Sequence, residues 1–170
     1  MRTTTKPLPV YDIFKDFAEP VYSIGQLTVH YTPTAAMGRP VTFASANDLM
    51  KLIKKQYITP EVIYVKEYMY AILFNNRNKV CAVLKLSDGG RSATVFDMGH
   101  LFAAALLSNC DRMILVHNHT SGCAKPSRID NYMTKQVKQA AQMLDMELVD
   151  HLIITGNGDF YSYMEDGRLT

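Results

Sequence analysis

The sequence predicts an α/β chain of the α+β kind, a mixed β-sheet flanked by helices, on three observations. Two apolar, β-branched and aromatic runs, Tyr68 to Phe74 and Lys79 to Leu86, are joined by Asn75-Asn76-Arg77-Asn78. Those linker residues tolerate a left-handed backbone, so the pair reads as a hairpin. After Ser127, residues Ile129, Met133, Val137, Ala140 and Leu144 recur at steps of four, four, three and four, which is one helical face. Short apolar runs on either side of that stretch, Arg112 to Val116 and Glu147 to Thr155, give a strand–helix–strand alternation.

The elements follow in order. Residues 1–40 carry Pro7, Pro9 and Pro20 among mixed charges and are expected to form an arm, with one candidate strand over Ser23 to Tyr31 that Gly38-Arg39-Pro40 ends. The domain itself is expected over residues 41–170. Ser45-Ala46-Asn47-Asp48 is a capping box with Asp in place of Glu, opening a helix with Leu49, Leu52 and Ile53 on its apolar stripe. The hairpin comes next, and Asp88-Gly89-Gly90 stops its second strand. Asp97 caps a helix to about Ser108 that carries Leu101, Ala104, Ala105 and Leu107. Arg112 to Val116 then delivers His117 and His119 at a strand end. The helix from Ser127 follows, and Glu147 to Thr155 and Asp159 to Tyr163 close the chain as strands across Gly156-Asn157-Gly158.

Composition narrows the function classes. A chain of 170 residues, 48% hydrophobic and 20% charged, fits one globular domain with a real core. A membrane helix needs about 18 uninterrupted apolar residues, and the longest run, Leu101 to Leu107, is far shorter. Arg2 and Lys6 are not followed by an apolar stretch before Asp12, Lys15 and Asp16, so no secretory signal is expected. Cys81, Cys110 and Cys123 are odd in number and unrelated in spacing, which fits a reducing cytoplasm better than a disulfide framework. A net charge of +2 does not argue for nucleic acid, and Lys51, Lys54 and Lys55 read as a solvated helix face.

The chemistry is concentrated in His117-x-His119, seven residues, then Ser127-x-x-Asp130. Side chains alternate along a strand, so His117 and His119 point to one side and Asn118 to the other. A first-turn carboxylate from the next helix completes three ligands with one position open, the catalytic form of a zinc site. Each half also has a plainer reading. The histidines could be two polar loop residues after a strand, and Ser127-x-x-Asp130 is a helix capping box.

That spacing resembles the metal motif of the JAB/MPN (JAMM) metalloprotease fold. Ile114-Leu115-Val116-His117-Asn118-His119 and Leu148-Val149-Asp150-His151-Leu152-Ile153-Ile154 resemble its RadC branch, over residues 41–170. The resemblance implies a cytidine-deaminase-like three-layer arrangement with a single zinc site. It implies Zn2+ on His117, His119 and Asp130, and Glu67, at the start of the strand beside the metal strand, as the catalytic glutamate. Glu19 and Glu61 are the other glutamates ahead of the histidines, and Glu61 sits in a Pro60-led segment. Ser127 takes the role of stabilising the tetrahedral intermediate. The implied reaction is hydrolysis of a peptide or isopeptide bond in a peptide or protein substrate, by water activated on zinc.

The chain departs from the RadC pattern His-Asn-His-Pro-Ser-Gly-Asp at Thr120 and Cys123. A thiol four residues past His119 could reach the open zinc position, although a small loop residue is the plainer reading. Asp150-His151 matches the branch's Asp-His-Leu word, and among Leu148, Val149, Leu152 and Ile153 the imidazole reads as a hydrogen-bonded core group. Tyr161 and Tyr163 read as packing residues. Two alternatives stand beside the hydrolase. One is a non-catalytic zinc-binding interaction module. The other is a DNA-associated accessory of repair or mobile elements, although the helix–hairpin–helix module of longer RadC members is not spelled here. Exposed edges of a mixed sheet are compatible with a homodimer.

Overall fold

The apolar runs flanking Asn75 pair antiparallel as β1 (Met69–Phe74) and β2 (Val80–Ser87), in a computed structural model that describes residues 49–50, 53–54, 57–89 and 96–169. The asparagines make the turn. Asn75 Oδ1 accepts from the Arg77 and Lys79 amides at 3.0 and 3.2 Å, and Asn78 takes a left-handed φ of 56°. The expected arm, its strand, the 40/41 boundary, the Ser45–Asp48 cap and Leu52 lie outside the described residues. Leu49, Met50, Ile53 and Lys54 are helical.

Asp97 caps α1 (Met98–Leu107), which leads into β3 (Arg112–His119). Ser127 caps α2 (Arg128–Met143), and β4 (Glu147–Thr155) and β5 (Phe160–Ser162) complete the chain. The sheet order is β2-β1-β3-β4-β5. β3 and β4 are parallel, as a crossover through α2 requires, and the other neighbouring pairs are antiparallel. The sheet is mixed, as expected.

Parity along the strands divides the core into two layers. Ala71, Leu73, Met113 and Leu115 face α1 and α2, packing on Leu101, Phe102, Ala105, Val137 and Ala141. Tyr70, Ile72, Phe74, Val116, Leu152 and Ile154 face the other way, onto Leu49, Met50, Ile53, Ile58 and Ile63. With helices on both faces, every β1 residue is buried, which is why that strand reads as a continuous apolar run without alternation. Between β4 and β5, Gly158 takes φ 101°, and a side chain on Gly156 would collide with the Tyr64 ring. Among the described residues no helix is long and apolar enough to cross a membrane.

Two expectations need correcting. β3 runs on past the expected end at Val116 to His119, so both histidines are strand residues, on one face as expected, and the plainer reading of a loop does not hold. The buried face of α2 is Asp130, Thr134, Val137 and Ala141, while Ile129 and Leu144 of the expected stripe are exposed. The two stripes lie next to each other on the helix. The polar one is turned inward because its first two members have partners in the sheet. Leu107 of α1 is exposed because, six residues past Leu101, it is turned about 120° from that residue at 3.6 residues per turn.

Candidate metal centre

His117 and His119 occupy alternate positions at the carboxyl end of β3, and the first turn of α2 brings Asp130 against them. His117 Nε2 and His119 Nε2 are 3.0 Å apart. His117 Nε2 lies 3.3 Å from Asp130 Oδ1, and His119 Nε2 lies 3.3 Å from Asp130 Oδ2. All three residues are buried, and together they form a group that could hold a metal ion. Ligand atoms about 2.0–2.1 Å from a tetrahedral ion sit about 3.3 Å from one another, so this spacing fits.

Each ligand is oriented by a second contact. Ser127 and Asp130 form a reciprocal capping box, in which Asp130 Oδ2 accepts from the Ser127 amide at 2.7 Å and Ser127 Oγ accepts from the Asp130 amide at 3.1 Å. The capping and ligand roles of Asp130 are therefore satisfied by one rotamer. His119 Nδ1 donates to the Cys123 carbonyl at 2.8 Å, which in the neutral ring leaves Nε2 as the unprotonated nitrogen, directed inward. Cys123 enters through that carbonyl. Its thiol is not part of the ligand group.

His117 is held differently. Its Nδ1 lies 2.8 Å from His151 Nε2, and His151 Nδ1 lies 2.6 Å from Thr134 Oγ1. The Thr134 hydroxyl donates to the Asp130 carbonyl at 2.6 Å. His151 is fully buried and stacks on Tyr163 with ring centroids 5.0 Å apart. It is a hydrogen-bonded core residue, as the sequence suggests, but its partner is a member of the site. Tyr163 is buried against it, while Tyr161 meets Tyr163 edge-on.

Electrostatics agree with this geometry. Burial opposes ionisation of Asp130, but its contacts with the His117 and His119 rings and with Ser127 outweigh it and hold the carboxyl far below its usual range. Burial likewise works against a charged His119, yet the Asp130 carboxylate and the Cys123 carbonyl raise its pKa. His151 is pushed well below the ordinary histidine value, by burial first and the neighbouring His117 second.

Glu67 precedes β1 by two residues. β1 pairs Met69 with His117, and the Asn118 amide bonds the Tyr68 carbonyl at 3.4 Å, so the pairing continues one residue past the strand, to the residue that follows Glu67. The Glu67 charge is among the influences that raise the His119 pKa. Glu61 lies instead in an exposed turn, its carboxyl lowered by a hydrogen bond with Thr59.

Sequence reasoning passed over Asn118. It points to the opposite face, as parity requires, but is fully buried and does more than separate two histidines. Its Nδ2 donates to the Ile63 and Lys66 carbonyls at 2.8 and 3.0 Å, and its Oδ1 accepts from the Tyr68 amide at 2.8 Å. One carboxamide therefore grips the backbone on both sides of Glu67. Thr134 was missed as well. Its signal was the spacing of four from Asp130, which puts the two on one helical face.

A family profile described as RadC-like JAB domain matches residues 43–168. A UPF0758 protein of Flavobacterium johnsoniae is 39% identical over 101 residues, which is 59% of this chain and 44% of the relative. One of Porphyromonas gingivalis is 36% identical over 104 residues, 61% of this chain and 46% of its own. One of Symbiobacterium thermophilum is 33% identical over 116 residues, 68% and 49% respectively. The chain spans about half the length of the curated relatives it matches.

Proposed function

The chain belongs to the RadC-like JAB domain family, and from that premise we propose that it is a zinc-dependent hydrolase of the JAMM type, cleaving a peptide or isopeptide bond. The observation that carries this reading is the convergence of His117 Nε2, His119 Nε2 and the Asp130 carboxylate within 3.0–3.3 Å. With these atoms unprotonated, three acceptors so close repel one another, and a cation among them removes that repulsion. When bound there, zinc would supply a Lewis acid and lower the pKa of water at an open fourth position.

The remaining roles fall to the chain's own side chains. Glu67, whose charge acts on His119, is the proton carrier: it accepts a proton from water and returns it to the departing amine. The Ser127 oxygen accepts from the Asp130 amide, so its hydroxyl hydrogen can turn to the oxygen of the carbonyl under attack. One such donor contributes about 3 kcal/mol to lowering a barrier. Asn118 keeps Glu67 in place from the opposite face of the sheet.

The test is a screen of the zinc-loaded protein against peptide and isopeptide substrates, with Glu67→Gln as control. Removing a general base is expected to slow turnover by about 10²–10⁴-fold. Equal turnover by Glu67→Gln would contradict the role given to Glu67. Zinc binding with no turnover of any peptide or isopeptide would instead favour a metal-holding interaction module.

A further inference from the structure

Resting on the reading of His117, His119 and Asp130 as a metal centre, we infer that Thr134 and His151 form a tautomer lock that presets His117 for the ion and thereby sets metal affinity. Neither residue is a ligand. The lock follows from counting protons along one chain of contacts.

Thr134 has one hydroxyl hydrogen, and it is directed to the Asp130 carbonyl at 2.6 Å. Its oxygen is then an acceptor toward His151, 2.6 Å away, so the His151 proton must sit on Nδ1. A neutral imidazole carries one proton, which leaves His151 Nε2 bare. That bare nitrogen lies 2.8 Å from His117 Nδ1, so His117 must hold its own proton there. His117 Nε2 is therefore bare and faces Asp130 and His119. The backbone carbonyl of one ligand thus dictates, through two buried side chains, which nitrogen of another ligand is available.

The opposite polarity is also a closed chain. Thr134 would donate to His151 Nδ1, His151 Nε2 would donate to His117, and His117 Nε2 would carry a proton pointed at Asp130. In that state the site rejects a metal ion. The Thr134 hydroxyl favours the first direction, because it has a second acceptor in the carbonyl four residues back on its own helix, 2.6 Å away. Metal-bound histidines usually give their second N–H to a carboxylate or a carbonyl, which can only accept, or to water. Here the acceptor is an imidazole that can face either way, so a further residue must fix it.

This predicts an effect at a distance from an almost isosteric change. Thr134→Val removes the hydroxyl and keeps the shape. His151 then favours a bare Nδ1 against the new methyl, and His117 is driven to the wrong tautomer. Zinc affinity is expected to fall by about 10–100-fold, the range for loss of an outer partner of a ligand. Thr134→Ser, which restores the hydroxyl, is expected to bind zinc like the unaltered chain.

The experiment combines zinc competition against a chromophoric chelator at fixed pH with ¹⁵N spectra of the histidine rings, taken with and without zinc. The spectra are expected to show protons on Nδ1 of His117 and of His151 in the unaltered chain, and already so before zinc is added. Thr134→Val binding zinc as tightly as Thr134→Ser would overturn the lock, and so would a proton on His151 Nε2 in the metal-free unaltered chain. Because the metal-free spectra read the tautomers directly, they decide the lock even if the unaltered chain fails to bind zinc. That failure would count against the metal centre itself.

Discussion

α1 and α2 pack on the same face of the sheet and are built alike, yet they serve different ends. Asp97 caps one by accepting from the Gly99 and His100 amides, and Ser127 caps the other. Each ends on a left-handed residue, Asn109 or Asp145, with the following amide bonded back to Ala105 or Ala141. Between those ends α1 buries Leu101, Phe102 and Ala105, whereas α2 buries Asp130 and Thr134 before it buries Val137 and Ala141. Burying a polar group is unfavourable unless it finds a partner. In α2 the partners are His117, His119 and His151, so its first two turns are site and its last two are core.

The contrast breaks most strongly at Leu101. Leu101→Ala empties a fully buried position and is expected to lower stability by about 2–5 kcal/mol in denaturant unfolding, with zinc affinity unchanged. A parallel loss of zinc affinity would mean that α1 helps to hold the site. Next in size is Asn118→Ala, which strips partners from the Ile63 and Lys66 carbonyls and the Tyr68 amide. With about 1–3 kcal/mol for each buried group left unpaired, a loss of about 3 kcal/mol is expected. A loss below about 1 kcal/mol would show that the backbone around Glu67 is held by other contacts.

The caps sharpen the comparison at smaller scale. Asp97→Ala and Ser127→Ala should each cost about 1 kcal/mol, since each removes one side-chain cap. Only the second is expected to slow hydrolysis. If both variants hydrolyse substrate like the unaltered chain, Ser127 is a cap and nothing more. Smallest of all, Ile129→Ser and Leu144→Ser should each change stability by no more than about 0.5 kcal/mol, because both side chains are exposed. A loss above about 2 kcal/mol at either would restore the apolar stripe read from the sequence.

That misplaced stripe shows what a sequence can and cannot convey. The hairpin, both helices and the strand–helix–strand order were legible, because turn chemistry and apolar periodicity are local. The His-x-His spacing and the capping box were legible too, since each places side chains within a single element. The phase of α2 was not. Periodicity counts apolar residues, and here the inward face begins with an aspartate and a threonine whose partners lie far along the chain. His151 was visible as a buried imidazole among aliphatic residues. Its contact with His117 depends on the parallel register of β3 and β4, which pairs it with Leu115, and no local pattern states that. The grip of Asn118 on residues 63–68 is hidden for the same reason.

The central claim is that His117, His119 and Asp130 hold a metal ion, and elemental analysis tests it most directly. The protein would be purified without added metal and compared with His119→Ala. About one zinc per chain is expected, lost in the variant, while both remain folded by circular dichroism. A folded chain with no metal in either form would contradict the account, leaving the three side chains as a capping and hydrogen-bonding cluster.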